Sequence, residues 1–215
     1  MMRTAACCLL LMVILSPALS AENAGPGLCG QPAPVVVLKT LDGSDFYLRD
    51  SCGQPRGPRQ RQERNLVVLS FFTSWCKNCK NEIPLLQELA SELSSQGAKF
   101  YLVNVGQPRD TVENYVFNNV ITLPVLMDQY EVVSKKYQVK ELPTLVMIDR
   151  EGIIKEYHTG FVPAYGDSLR QQLRSLLGMA PVEKVEPAPS RTNVAKADST
   201  KEPAKAVVAK KKNKK

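Results

Sequence analysis

The sequence predicts an α/β fold built on a mixed central sheet with helices on both faces. Three observations carry this reading. "LVVLSFF" (Leu66 to Phe72) is an unbroken apolar, β-branched run, as expected of a strand buried on both sides. Next comes "CKNCKNEIPLLQELASELSSQG", where Ile83, Leu86, Leu89, Ala90 and Leu93 recur at helical spacing, and then a second strand, "KFYLVNV" (Lys99 to Val105). Strand, helix, strand implies parallel pairing through a right-handed crossover. Later, "TLVMIDREGIIKEYHTG" reads as two strands joined at "DREG", which adds antiparallel strands to the sheet.

The other elements follow in order. "PVVVLKT" (Pro34 to Thr40) and "DFYL" (Asp45 to Leu48) flank the turn signal "LDG" and predict an N-terminal β-hairpin extension. "SCGQPRGPRQRQERN" (residues 51–65) is rich in Gly, Pro and Arg and reads as a basic, exposed loop insertion. The first helix should end near Gly97, and Pro84 inside it removes a backbone donor and should kink it. "RDTVENYVFNNV" predicts a short helix, "PVLMD" a short strand and "YEVVSKKYQV" another helix. "AYGDSLRQQLRSLLG" closes the domain, with Leu169, Leu173, Leu176 and Leu177 on one face and Gly178 at its end.

The flanks are separable from this domain. Residues 1–21, "MMRTAACCLLLMVILSPALSA", have a short basic start, an apolar run from Ala5 to Leu15 and small residues at Ala18, Ser20 and Ala21. That is the pattern of a cleaved secretory signal peptide, and the run is short of the ~20 residues that span a bilayer. Residues 180–215 are rich in Lys, Pro and Ala, with no aromatic residue and no apolar periodicity, so this tail is expected to stay disordered. The tail holds 10 Lys and Arg against 4 Asp and Glu, which leaves 17 of each sign between Ala21 and Met179. All but one unit of the chain's net charge of +7 therefore belongs to its end, where it could touch an anionic surface. Export argues against nucleic acid as the partner. Residues 22–179 remain as one domain, enough for a single core.

Four cysteines lie in that domain: Cys29, Cys52, Cys76 and Cys79. Export places them where disulfides persist. Cys76 and Cys79 form a CxxC at the start of a helix that follows a buried strand. A helix N-terminus favours an anion, so the first thiol should ionise easily, and the second lies one turn away, placed to attack a mixed disulfide formed at the first. A structural zinc site wants four ligands, and the chain has one histidine, His158, so no metal is expected. A copper carrier using Cys76, Cys79 and His158 is a rival reading, as is a local structural staple. No cofactor is expected either.

The surroundings of the pair resemble the thioredoxin superfamily. "FFTSWCKNCKNEIP" has a Trp before the first Cys, a basic residue after the second and a Pro five beyond it, and "VKELPTLVMIDREGII" resembles the superfamily's cis-proline segment. The N-terminal hairpin, "VNVG" at 103–106 and the extra helix before "PVLMD" are similar to the exported TlpA/ResA branch. The resemblance implies a thioredoxin-like fold over about Gln31 to Gly178. It also implies roles: Cys76 as the exposed nucleophile, Cys79 as the buried resolving thiol, and Pro143 as a cis-proline whose preceding backbone, at Leu142, binds extended substrate. Trp75 would flank the site. Substrates would be disulfide-containing proteins, with electrons supplied by a membrane thiol-reductant donor, as in cytochrome c maturation.

Two positions depart from the family pattern. Ser70 stands where thioredoxin carries a buried Asp, and Gln107 stands where ResA-type proteins carry an acidic residue. Neither can manage the resolving thiol's proton by ionising, which leaves water or another group such as Glu82. The peroxidase reading is weak, because the Pro-x-x-x-Thr-x-x-Cys pattern is absent around Cys76. Cys29 precedes the first strand of the hairpin and Cys52 follows the second. A structural disulfide between them is expected, closing a loop of about 24 residues and contributing roughly 3 kcal/mol. A second redox pair or free thiols are the alternatives. The expected activity is that of an exported protein-disulfide oxidoreductase working at the extracytoplasmic face; a thioredoxin-fold binding module is the rival from another class.

Overall fold

A computed structural model of the protein describes residues 27–53 and 64–180. The expected signal peptide, the tail beyond Ala180 and most of the 51–65 loop lie outside the described residues. Seven strands form one sheet in the order β2-β1-β5-β4-β3-β6-β7. They are β1 (Val37–Thr40), β2 (Asp45–Tyr47), β3 (Leu66–Phe72), β4 (Ala98–Val105), β5 (Val125–Asp128), β6 (Thr144–Ile148) and β7 (Ile154–Thr159). β3, β4 and β5 are parallel; β6 and β7 add antiparallel on one side and β1 and β2 on the other. The helices are α1 (Lys77–Leu93), α2 (Arg109–Asn118), α3 (Val132–Lys136) and α4 (Tyr165–Leu176).

β3 shows why the sheet needs cover on both faces. All seven of its residues are buried. Leu66, Val68 and Phe72 enter one core with Ile83, Leu86, Leu89 and Leu93 of α1, Val112 of α2, and Leu169 and Leu173 of α4. Val67, Leu69 and Phe71 enter the other, with Phe46 of the hairpin, Val133 of α3 and Tyr137 just beyond it. Each large aliphatic side chain so buried contributes about 1.5–3 kcal/mol. Gly97, at φ +92°, accepts the left-handed turn that ends the α1 segment and returns the chain to β4. Arg170 and Arg174 of α4 reach Glu92 of α1 at 3.0 Å, which ties the two helices over the same face.

The sequence-predicted helix "YEVVSKKYQV" is shorter than its apolar spacing implies. Glu131 and Gln138 sit at φ +56° and +55°, outside the helical region, and bracket the five residues of α3. The Asp128 carboxylate accepts the backbone N–H groups of Val132, Val133 and Ser134 at 2.8, 3.1 and 2.7 Å, so the helix starts where that cap lies rather than at Tyr130.

The expected Cys29–Cys52 bridge does not form: both thiols are free, Cys29 exposed and Cys52 buried. The hairpin ladder ends at Val37 and Tyr47 with one further bond, from the Leu48 N–H to the Val36 carbonyl at 3.1 Å, and the chain then parts. On one side Gly30 donates to the Ile154 carbonyl at 2.8 Å, which holds Cys29 beside β7. On the other, a 3₁₀ turn at Leu48–Asp50 turns Cys52 inward, its thiol donating to the Leu48 carbonyl at 3.8 Å. Burial and the nearby Asp149 push the Cys52 thiol up to about 12, so it stays protonated. Maleimide at pH 8 is therefore expected to label Cys29 in the native protein and Cys52 only after unfolding without reductant. If neither thiol labels after unfolding, the bridge exists.

Candidate active site

Cys76 and Cys79 are joined by a disulfide, with S–S 2.01 Å and Cα–Cα 5.3 Å. β3 ends at Phe72, a three-residue turn follows, and Cys76 becomes the N-cap of α1 in extended backbone conformation. Its Sγ accepts the Cys79 backbone N–H at 3.1 Å. In the reduced protein that bond and the helix N-terminus both favour a thiolate at Cys76. Accessibility separates the two sulfurs. Cys76 is 7% exposed and lines a groove with Trp75, Lys77, Asn78, Lys140 and Leu142, whereas Cys79 is 0% exposed and lies in the core. Attack from outside can reach only Cys76. It is more enclosed than an "exposed" nucleophile suggests; its opening is the groove.

The Leu142–Pro143 peptide bond is cis, as the sequence resemblance implied. The Gly160 N–H donates to the Pro143 carbonyl at 2.8 Å, which fastens this loop to the end of β7. Leu142 forms the groove wall facing Cys76, and Trp75, 72% exposed, stands at its rim.

Gln107 has a role that sequence reasoning missed. Its Oε1 accepts the Ser74 backbone N–H at 2.7 Å and Asn104 Nδ2 at 2.9 Å, while its Nε2 donates to Ser74 Oγ at 2.8 Å. A primary amide donates and accepts at once, so this side chain braces the turn before Cys76 against the end of β4. A carboxylate there could not donate. Gly106, just before it, has φ +67°, a left-handed conformation that glycine adopts without steric cost.

Below the disulfide, Ser70 and Glu82 form a buried pair. The Ser70 hydroxyl donates to Glu82 Oε2 at 2.5 Å, and Glu82 is only 2% exposed. Burial raises its carboxyl from 4.5 to about 7, with the Ser70 hydrogen bond opposing. Glu82 follows Cys79 by three residues, on the same side of α1. Ser70 therefore does not replace a carboxylate; it holds one that comes from the helix. His158, on β7 opposite Leu145, stacks on Tyr165 with ring centroids 3.8 Å apart. Among the described residues no three His, Cys, Asp or Glu side chains converge as a metal site.

A family model described as the AhpC/TSA family matches residues 29–157. The chain belongs to that family. It is 33% identical over 147 residues to the thiol-disulfide oxidoreductase ResA of Geobacillus thermodenitrificans, covering 68% of this chain and 77% of that protein. It is 31% identical over 131 residues to ResA of Bacillus subtilis, covering 61% and 67%. Among solved structures, a thiol:disulfide interchange protein DsbE from Chlorobium tepidum superposes with a TM-score of 0.62 at 26% identity, covering 70% of this chain and 98% of its own. The chain is a thiol-disulfide oxidoreductase of the ResA and DsbE type on a thioredoxin-like fold.

Proposed function

We propose that the protein works outside the cytoplasm as a reductant of protein disulfides, of the kind that serves cytochrome c maturation, and is recharged by a membrane thiol donor. The observation that carries the chemistry is the Cys76–Cys79 pair at the N-terminus of α1, whose groove is shared with Leu142, the residue before the cis proline. The relationship to ResA supports thiol-disulfide exchange, and the first 21 residues support export. Among the described residues no helix is long and apolar enough to cross a membrane.

In the reduced protein the Cys76 thiolate attacks one sulfur of a substrate disulfide and expels the other as a thiolate, which takes a proton. Cys79 loses its proton and attacks Cys76 Sγ, which releases the second substrate thiol and restores the Cys76–Cys79 bond. The substrate gains two electrons and two protons; the pair loses them. Glu82, beside Cys79 and half-ionised near neutral pH, is the group placed to take the resolving proton. Leu142 and Trp75 hold the extended substrate chain. Oligomer-independent and substrate-independent, the reduction potential of the pair is the deciding measurement. Equilibration with dithiothreitol buffers and thiol trapping is expected to give a value near or below about −270 mV; a value near −120 mV would make the protein an oxidant and overturn the assigned direction.

A further inference from the structure

The groove at Cys76 has a volume of about 440 Å³ and is lined by Trp75, Cys76, Lys77, Asn78, Lys140 and Leu142. Trp75 and Leu142 make it apolar on two sides. Its charge comes from Lys77, the first residue of α1, and Lys140, in the loop before the cis bond, and no carboxylate lines it. Lys80 is exposed one turn further along α1. Elsewhere on the domain, Lys39, Arg109, Lys135 and Lys155 each pair with a carboxylate. Lys77, Lys80 and Lys140 pair with none among the described residues. Of the acids nearby in sequence, Glu131 is engaged by Lys135, Glu82 is buried, and Glu141 is exposed but does not line the groove.

Lys99 and Lys136 also lack a carboxylate partner among the described residues, but of the unpaired cations only Lys77 and Lys140 line the groove where a substrate disulfide must enter. The helix N-terminus behind Cys76 adds positive potential at the same place. Such a site concentrates ligands of opposite charge and speeds their encounter more than it tightens the final complex.

From this charge and lining we infer that the groove selects disulfides set in acidic protein segments. Carboxylates flanking the substrate cysteine face Lys77 and Lys140, and an apolar residue packs between Trp75 and Leu142. The inference rests on the oxidoreductase reading and adds its substrate class.

The test uses the full chain, reduced with dithiothreitol and then freed of it. Three disulfides are compared in single turnover: two peptides that differ only in carrying Glu or Lys on both sides of an intrachain disulfide, and neutral bis(2-hydroxyethyl) disulfide. In each case the Cys76–Cys79 dithiol is oxidised by two electrons and the probe is reduced to thiols. The acidic peptide is expected to react about 10-fold faster than the basic one at low salt, with the ratio shrinking as ionic strength rises. Lys77→Glu/Lys140→Glu should bring that ratio to about 1 or invert it. The ratio cancels any change in the intrinsic reactivity of Cys76, and the basic tail is the same in both proteins. Equal rates for the two peptides in the unmodified protein, or a preference that survives in the double variant, would overturn the inference while oxidation by the neutral disulfide kept the enzyme reading intact. If the neutral disulfide also left the dithiol reduced, the enzyme reading would fall and the inference with it.

Discussion

Cys79→Ser is expected to convert the enzyme into a trap. With Cys76 alone, attack on a protein disulfide stops at the mixed disulfide, because the buried second sulfur that releases it is gone. The adduct should persist on non-reducing gels and vanish with dithiothreitol. Cys76→Ser should abolish turnover to the uncatalysed level with no adduct. Serine is the informative replacement there. It can still cap α1 by accepting the Cys79 N–H, as Sγ does at 3.1 Å, whereas alanine would also lose the cap, worth about 1 kcal/mol. Lost activity with retained stability then isolates the nucleophile. Turnover that survived Cys76→Ser, or an adduct formed through Cys79 instead, would reverse the assignment of the two sulfurs.

Whether a feature could be read from the sequence depended on how local its cause was. β3, α1 and β4 were legible because an unbroken apolar run and a 3.6-residue period leave few alternatives, and burial of all seven β3 residues matches that run. The CxxC was legible because spacing within one segment carries it, and Pro143 because its segment resembles the thioredoxin cis-proline segment. The Cys29–Cys52 bridge failed because hairpin geometry constrains only the paired residues. Beyond Val37 and Tyr47, contacts with Ile154 and the Leu48 carbonyl decide where the thiols go. Gln107 and Ser70 marked absent carboxylates in the sequence. What they do instead depends on partners 33 and 12 residues away, Ser74 and Glu82, which no local pattern encodes. Lys140 shares no local pattern with the CxxC; only the folded chain brings its loop into the groove at Cys76.

Glu82→Gln is the substitution that separates the proton's role from the packing around it. The folded protein holds the Glu82 carboxyl at about 7 against 4.5 when unfolded, so it binds the proton more tightly when folded. Below pH 4.5 both states are protonated and the carboxyl contributes nothing against Gln. As pH rises from 4.5 toward 7 the unfolded chain ionises first, and stability falls; above 7 the loss is complete, at up to about 3 kcal/mol. Gln keeps an acceptor for the Ser70 hydroxyl and carries no charge. The oxidised Gln variant should therefore match the parent protein in urea at pH 4 and exceed it at pH 8. His158, held below its ordinary value by burial, titrates in both proteins and cancels in the comparison. Activity should move the other way. Without a base near pH 7, release of the mixed disulfide should slow by about 10²-fold at neutral pH and lose its titration there. A stability difference independent of pH would place the Glu82 carboxyl near its ordinary value. Unchanged release would assign the Cys79 proton to solvent and leave Ser70 and Glu82 as a structural pair.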